Sequence, residues 1–295
     1  MTDLLKTDLI INPDGSIFHL YLKPGEIAND IILVGDPGRV RQVSKFFGKI
    51  EIIKENREFV THTGTFRGHR ISVISTGIGT DNIDIVLTEL DALVNVDLQN
   101  LVIKDKHHKL NLIRLGTSGL LDPDISPGSI VMSEISGGLD GTIHFYRNAD
   151  HILLSDLSDR FISHFSWIRN LSQPYFVEVS DSLRRLFQSP GITSGITLSA
   201  PGFYGPQFRK LRLEPFLDDF FDRVVTFRYQ NLKITNFEME SSLLYGLSNL
   251  LGHDAITLCV GIANRLTNDV VKDYKIYVDR LIEYVLNKLT GQNHE

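Results

Sequence analysis

Asn236-Phe237-Glu238-Met239-Glu240-Ser241-Ser242 closes an extended segment and opens a helix, and the fold class turns on that junction. Residues 232–237 read as a short strand, after which Leu243, Leu244, Leu247, Leu250 and Leu251 recur at helical spacing. Two carboxylates and a thioether therefore stand at a strand-to-helix turn, on the edge where open α/β sheets collect ligands. A carboxylate there accepts hydrogen bonds from vicinal hydroxyls, and a thioether offers a soft apolar face to a sugar ring. That combination suits a ribose. The plainer alternative is a pair of first-turn acids favoured by the helix dipole, with Met239 filling the core.

The same kind of junction recurs upstream. Ile31-Ile32-Leu33-Val34 reads as a buried strand running into Gly35-Asp36-Pro37-Gly38-Arg39 and an amphipathic helix through Val40, Val43, Phe46 and Phe47. Glycine lets the backbone approach a ligand, a helix N-terminus presents unpaired N–H groups and Arg39 adds a positive fork, which together suit phosphate. An ordinary proline-initiated helix is the alternative. The stretch is neither G-x-G-x-x-G nor a P-loop. Residues 57–66 and 71–75 read as a hairpin around Arg67-Gly68 that feeds Thr76-Gly77-Ile78-Gly79-Thr80-Asp81-Asn82 and a further helix. Leu112-Ile113-Arg114-Leu115 then delivers Gly116-Thr117-Ser118-Gly119. An arginine inside an apolar strand needs a partner, and the hydroxyl-and-glycine loop beside it is shaped for an anion.

Ala200-Pro201-Gly202-Phe203-Tyr204-Gly205-Pro206-Gln207-Phe208-Arg209 interleaves turn formers with aromatics, an amide and a guanidinium. Such a loop either stacks on and hydrogen-bonds a planar heterocycle or is plain surface. Residues 16–22 read as extended, with His19 a structural histidine among apolar neighbours. Residues 95–109 read as a surface excursion. Its His107-His108 pair reads as solvated rather than metal-binding, because no Cys, Asp or Glu accompanies it at chelating spacing. No metal site is expected.

Across 295 residues, Lys+Arg of 30 against Asp+Glu of 36 gives a net charge of -6, which argues against nucleic-acid or anionic-membrane partners. Cys259 is the single cysteine, so no internal disulfide forms and a reducing compartment fits. Neither a signal-peptide core nor a bilayer-length apolar run is visible, and a cytoplasmic location is expected. Strands alternate with helices without a linker or repeat, which predicts one α/β domain over residues 1–295.

Taken in order, Gly35 to Arg39, Arg57-Glu58-Phe59, Ser75 to Gly79, Arg114 to Gly119, Phe203 to Arg209 and Phe237 to Ser241 make the chain resemble the nucleoside phosphorylase family, from about His19 to Ile262. The resemblance implies a central mixed, partly barrel-like β-sheet flanked by helices. It implies that Gly35, Arg39, Arg114 and Thr117 bind phosphate, joined by Arg57 from a neighbouring subunit. Glu238, Met239 and Glu240 would hold ribose, with the neighbour's His19 at the 5′-hydroxyl. Gln207 and Arg209 match the pair that reads the uracil edge, Phe203 packs on the ring, and Arg265 stands where purine-cleaving members carry an aspartate nearby.

The reaction so implied is phosphorolysis of uridine to uracil and ribose 1-phosphate, with Arg114, Thr117, Gln207, Arg209 and Glu240 carrying the chemistry. Phosphate is a co-substrate and no cofactor is expected. A purine phosphorylase, a nucleosidase of the same fold and a silent nucleoside-binding module are the competing readings. The chain departs from the family pattern at Gly205-Pro206 and at Thr80-Asp81-Asn82. Asn82 puts in doubt the monovalent-cation site that some members build with the glutamate matching Glu58. A homodimer with a shared site is expected, and residues 95–109 bear on whether dimers build a hexamer.

Overall fold

The computed structural model describes residues 4–291. The ends of the expected 1–295 unit, residues 1–3 and 292–295, lie outside the described residues. In chain order the strands are β1 (Asp30–Val34), β2 (Lys49–Asn56), β3 (Phe59–Phe66), β4 (His69–Ser75), β5 (Val96–Asp97), β6 (Val102–Ile103), β7 (Asn111–Leu120), β8 (Ile130–Gly138), β9 (Tyr175–Glu178), β10 (Thr193–Ser199), β11 (Ile234–Glu238) and β12 (Asp254–Asn264). The α-helices are α1 (Pro37–Ser44), α2 (Thr80–Asn95), α3 (Ser155–Phe165), α4 (Asp181–Phe187), α5 (Phe220–Thr226), α6 (Ser241–Leu251) and α7 (Lys275–Leu289).

Strand β7 is the pivot. Its first half lies parallel between β1 and β12, while Gly119 and Leu120 at its end pair antiparallel with Phe237 and Asn236 of β11. From β11 the sheet continues parallel through β10 to β8, and β8 returns antiparallel to β12. The ring β7-β11-β10-β8-β12 thereby closes, as the expected partly barrel-like mixed sheet requires. Register shifts at Gly261/Ala263 and Ile196/Thr197 supply the bends that closure needs. Beyond β1 the sheet runs on as an open wing, β4-β3-β2. Strands paired on both edges and covered on both faces read as continuous apolar runs, which is why β1 and β12 were legible.

The main core gathers α2, α6 and α7 onto β1, β7 and β12. A second, aromatic cluster lies on the barrel's other side, where Phe208 stacks on Phe220 at 3.7 Å between centroids and Phe237 stacks beside it. Among the described residues no helix is long and apolar enough to cross a membrane.

Two expectations are corrected. Residues 16–22 are a turn, not a strand: Ile17 N donates to Leu22 O at 2.9 Å and Tyr21 takes a left-handed φ of 58°. Ile17, Leu20 and Leu22 are all buried, a spacing that no strand places on one face. The turn is held by Glu89 of α2, whose carboxylate accepts the N–H groups of His19 and Leu20. Residues 95–109 are also more than an excursion. They contain the β5–β6 hairpin and are tied down by Asn95, which accepts His108 N at 2.6 Å and Lys104 N at 2.8 Å.

His107 has the acidic companion that sequence spacing withheld: Asp91 and His253 bring ligand-type atoms within 4.8 Å of it. His107 donates through Nε2 to Leu251 O at 2.9 Å. His253 Nδ1, however, accepts Leu110 N–H at 3.2 Å, which leaves its proton on the Nε2 that faces Asp91. His107 stacks on the His253 ring at 5.5 Å between centroids, so the cluster packs the segment after β6 against the turn before β12.

Candidate active site

Glu238 ends β11, where the chain turns into α6. Its buried carboxylate accepts Glu240 N at 3.0 Å, Ser241 N at 3.0 Å, Ser241 Oγ at 2.7 Å and Ser199 Oγ. The acid therefore caps the open N–H groups of α6, as the plainer sequence reading held. It also borders a cavity. Glu240, one residue before α6, accepts Gly79 N at 2.8 Å across from the glycine turn after β4. Gly79 takes a φ of 100°, which favours glycine.

Arg114 stands between these acids. Its Nη1 lies 3.1 Å from Glu238 Oε2, its Nη2 bonds Glu240 Oε2, and Cys259 Sγ accepts from Nη1 at 3.5 Å. The arginine inside an apolar strand thus has its partners. Burial works against its charge, but Glu240 and Glu238 outweigh burial and hold the guanidinium above the usual arginine range. Burial pushes the Glu240 carboxyl up against the pull of Arg114, and pushes the Cys259 thiol up to about 12.

The anion side lies beside it. Arg39 of α1 is buried and donates to Leu115 O at 3.1 Å, and burial together with the charge of Arg114 lowers its pKa. Gly35 and Gly77 bring two loop backbones together, a Cβ on Gly35 standing 3.4 Å from Gly77 O. Thr117 follows Gly116 on β7 at the same wall. The third wall is the turn Gly205–Gln207, pinned by Phe208 in the aromatic cluster. Gln207 is buried there, and Arg209 lies 4.0 Å over the half-exposed Phe203 ring while donating to Phe203 O at 2.9 Å.

One cavity of about 870 Å³ collects Gly35, Arg39, Arg114, Thr117, Phe203, Gln207, Arg209, Glu238, Met239 and Glu240. Glu58 and Asn82, the doubtful cation pair, line it too. Three expected residues lie outside it. His19 pairs with Glu89 at 2.6 Å, and Arg57, at the exposed β2–β3 turn, lies 5.8 Å from the Phe18 ring. Arg265, expected against the base, sits behind the wall: its Nη1 donates to Gln207 O at 3.2 Å and it stacks over Phe221. Burial and then the charge of Arg209 bring its pKa down to about 10. Sequence reading passed over Ser199, Glu89 and Asp91. The signal for Ser199 lay in strand pairing, since it ends β10 directly beside Glu238 on parallel β11.

The phosphorylase superfamily model matches residues 30–288, and the chain belongs to that superfamily. It is 31% identical over 264 residues to the uridine phosphorylase of Thermococcus kodakarensis, covering 88% of this chain and 81% of that protein. The Haemophilus influenzae uridine phosphorylase is 25% identical over 270 residues, covering 88% and 91%. Among solved structures, Trypanosoma brucei nucleoside phosphorylase, which shows uridine phosphorylase activity, superposes with a TM-score of 0.85 at 27% identity, covering 96% of this chain and 100% of that one.

Proposed function

We propose that this chain catalyses phosphorolysis of uridine to uracil and ribose 1-phosphate, in cytoplasmic nucleoside salvage. The observation that carries the proposal is the sharing of one cavity by Arg39 and Arg114, by Glu238 to Glu240, and by Gln207 with Arg209. Phosphate seated on Arg39, Arg114, Gly35 and Thr117 approaches the anomeric carbon while the ribose hydroxyls are held by the acids and the ring rests on Met239. The glycosidic bond breaks through an oxocarbenium-like state, so the protein's task is positioning and charge stabilisation. Gln207 and Arg209 donate to the uracil edge, where negative charge grows as the base departs. No protonated purine nitrogen is needed, and Asn264, near which purine-cleaving members carry their aspartate, spends its amide on Asp122 O and Ile125 O.

The proposal includes a dimer. His19 and Arg57 lie outside their own chain's cavity, and a neighbouring copy would bring them to the 5′-hydroxyl and to phosphate. Neither a metal nor an organic cofactor enters the scheme. Ultraviolet assay of base release from uridine and from inosine, each with and without phosphate, tests it. Cleavage of uridine only when phosphate is present is expected. Cleavage of inosine moves the base assignment to purines, cleavage without phosphate makes a nucleosidase, and silence on both leaves a binding module.

A further inference from the structure

The carboxylates beside Arg114 are not equivalent. On Glu238 every direction is taken without it: Oε1 receives Ser199 Oγ, Ser241 Oγ and Ser241 N, and Oε2 receives Glu240 N and Ser241 N besides Arg114. On Glu240, Oε1 receives Gly79 N, while Oε2 has Arg114 Nη2 as its one donor among the described residues. Glu240 is 4% exposed, so loss of that donor would leave a buried carboxylate half satisfied. Arg114 for its part keeps a buried Nε–H without a partner among the described residues. Arg39 stands beside it with a single carbonyl for company and no carboxylate within ion-pair reach among the described residues.

We propose that Arg114 couples the two substrate sites. In this structure it occupies Glu240, the acid meant for ribose, and an oxyanion seated on Arg39 draws Arg114 away and frees that acid. This rests on the phosphorolysis reading and says what the arginine does before chemistry. An oxyanion alone takes the donor of Glu240 and puts nothing in its place. A nucleoside alone must bring its vicinal hydroxyls to an acid already taken. When both bind, the anion neutralises Arg39 and Arg114 while the hydroxyls refill Glu240, so each ligand removes the penalty met by the other. Glu238 stays on its serine and backbone donors throughout and keeps α6 in place.

Isothermal calorimetry with sulfate as the unreactive anion tests this on the native protein. Uridine is expected to bind about tenfold tighter or more with saturating sulfate, and sulfate tighter by the same factor with saturating uridine, as linkage requires. 2′,3′-Dideoxyuridine has no hydroxyls for Glu240 and should bind equally with and without sulfate. Glu240→Gln should bind sulfate more tightly than the native protein, because Arg114 is released, and should lose the coupling to uridine. Equal uridine affinity with and without sulfate overturns the proposal, and so does unchanged sulfate affinity in a folded Glu240→Gln. Turnover of uridine with phosphate is measured on the same preparation. Turnover without coupling sinks this inference alone, whereas coupling without turnover sinks phosphorolysis and leaves it standing.

Discussion

Gly116 holds open the space that Arg114 fills. A methyl group there would stand 2.3 Å from Arg114 Nη1 and 2.7 Å from Cys259 Sγ, and any shift that relieves the clash disturbs the ion pairs of Arg114 with Glu238 and Glu240. Gly116→Ala is therefore expected to cost about 1–3 kcal/mol of stability through overpacking. It should also reduce kcat/KM by about a hundredfold, by displacing the group proposed to meet phosphate. Arg114→Ala removes the guanidinium instead and leaves two buried acids facing each other. A stability loss of about 3–5 kcal/mol and a fall in turnover of about a hundredfold or more are expected, read by urea unfolding and steady-state kinetics. Near-normal phosphorolysis by a folded Arg114→Ala would take Arg114 out of the chemistry.

At the scale of elements, what sequence revealed and what it hid follow from how each signal arises. The junctions after β1, β4 and β11 were visible because buried strands are unbroken apolar runs and the segments after them carry glycine, hydroxyl or charge, whereas Gly116 to Gly119, expected as a loop, are strand: they continue β7 to Leu120 because their backbones pair with β12. Residues 16–22 look like the same signal, but Glu89, some seventy positions on, holds their N–H groups in a turn. The cluster of Asp91, His107 and His253 is likewise assembled from three distant stretches. Arg265 was expected against the base, but its direction depends on how β12 bends past Leu120, and it reaches the Gln207 carbonyl and not the cavity. From behind that wall Arg265 clamps the Gln207 turn, so its role is positioning. Losing a charged donor to a carbonyl is worth about 1.5–3 kcal/mol. Arg265→Ala should thus raise KM for uridine by about tenfold to a hundredfold and leave KM for phosphate unchanged, with partial recovery in Arg265→Lys. A phosphate KM that rises in step would show that Arg265 supports the whole cavity rather than the base turn.

For the whole molecule, closure of the barrel is what makes one site out of separate motifs: the β7–β11 seam, Gly119 against Phe237, brings Arg114 to the acids at the end of β11. Stability against pH is the other property of the chain as a whole, and His62 on β3 sets part of it. His62 is 7% exposed and its ring shares a 2.7 Å hydrogen bond with Ser44 Oγ, which ties the open wing of the sheet to α1. Burial first, and then the charge of Arg41, depress its pKa below the usual 6.5, against a smaller opposing pull from Glu55. Below about pH 6.5 the unfolded chain takes up a proton at this position that the folded chain refuses, so acidification favours unfolding. Glu240 acts in the opposite sense at lower pH, because its raised pKa makes the folded state the better proton acceptor there. His62→Gln isolates the first effect. Urea midpoints measured from pH 7 down to pH 5 should fall for the native protein and fall less for the variant, the two curves converging as the pH drops. Parallel curves over that range would mean that His62 accepts its proton in place, and the burial that depresses it would not be the controlling term.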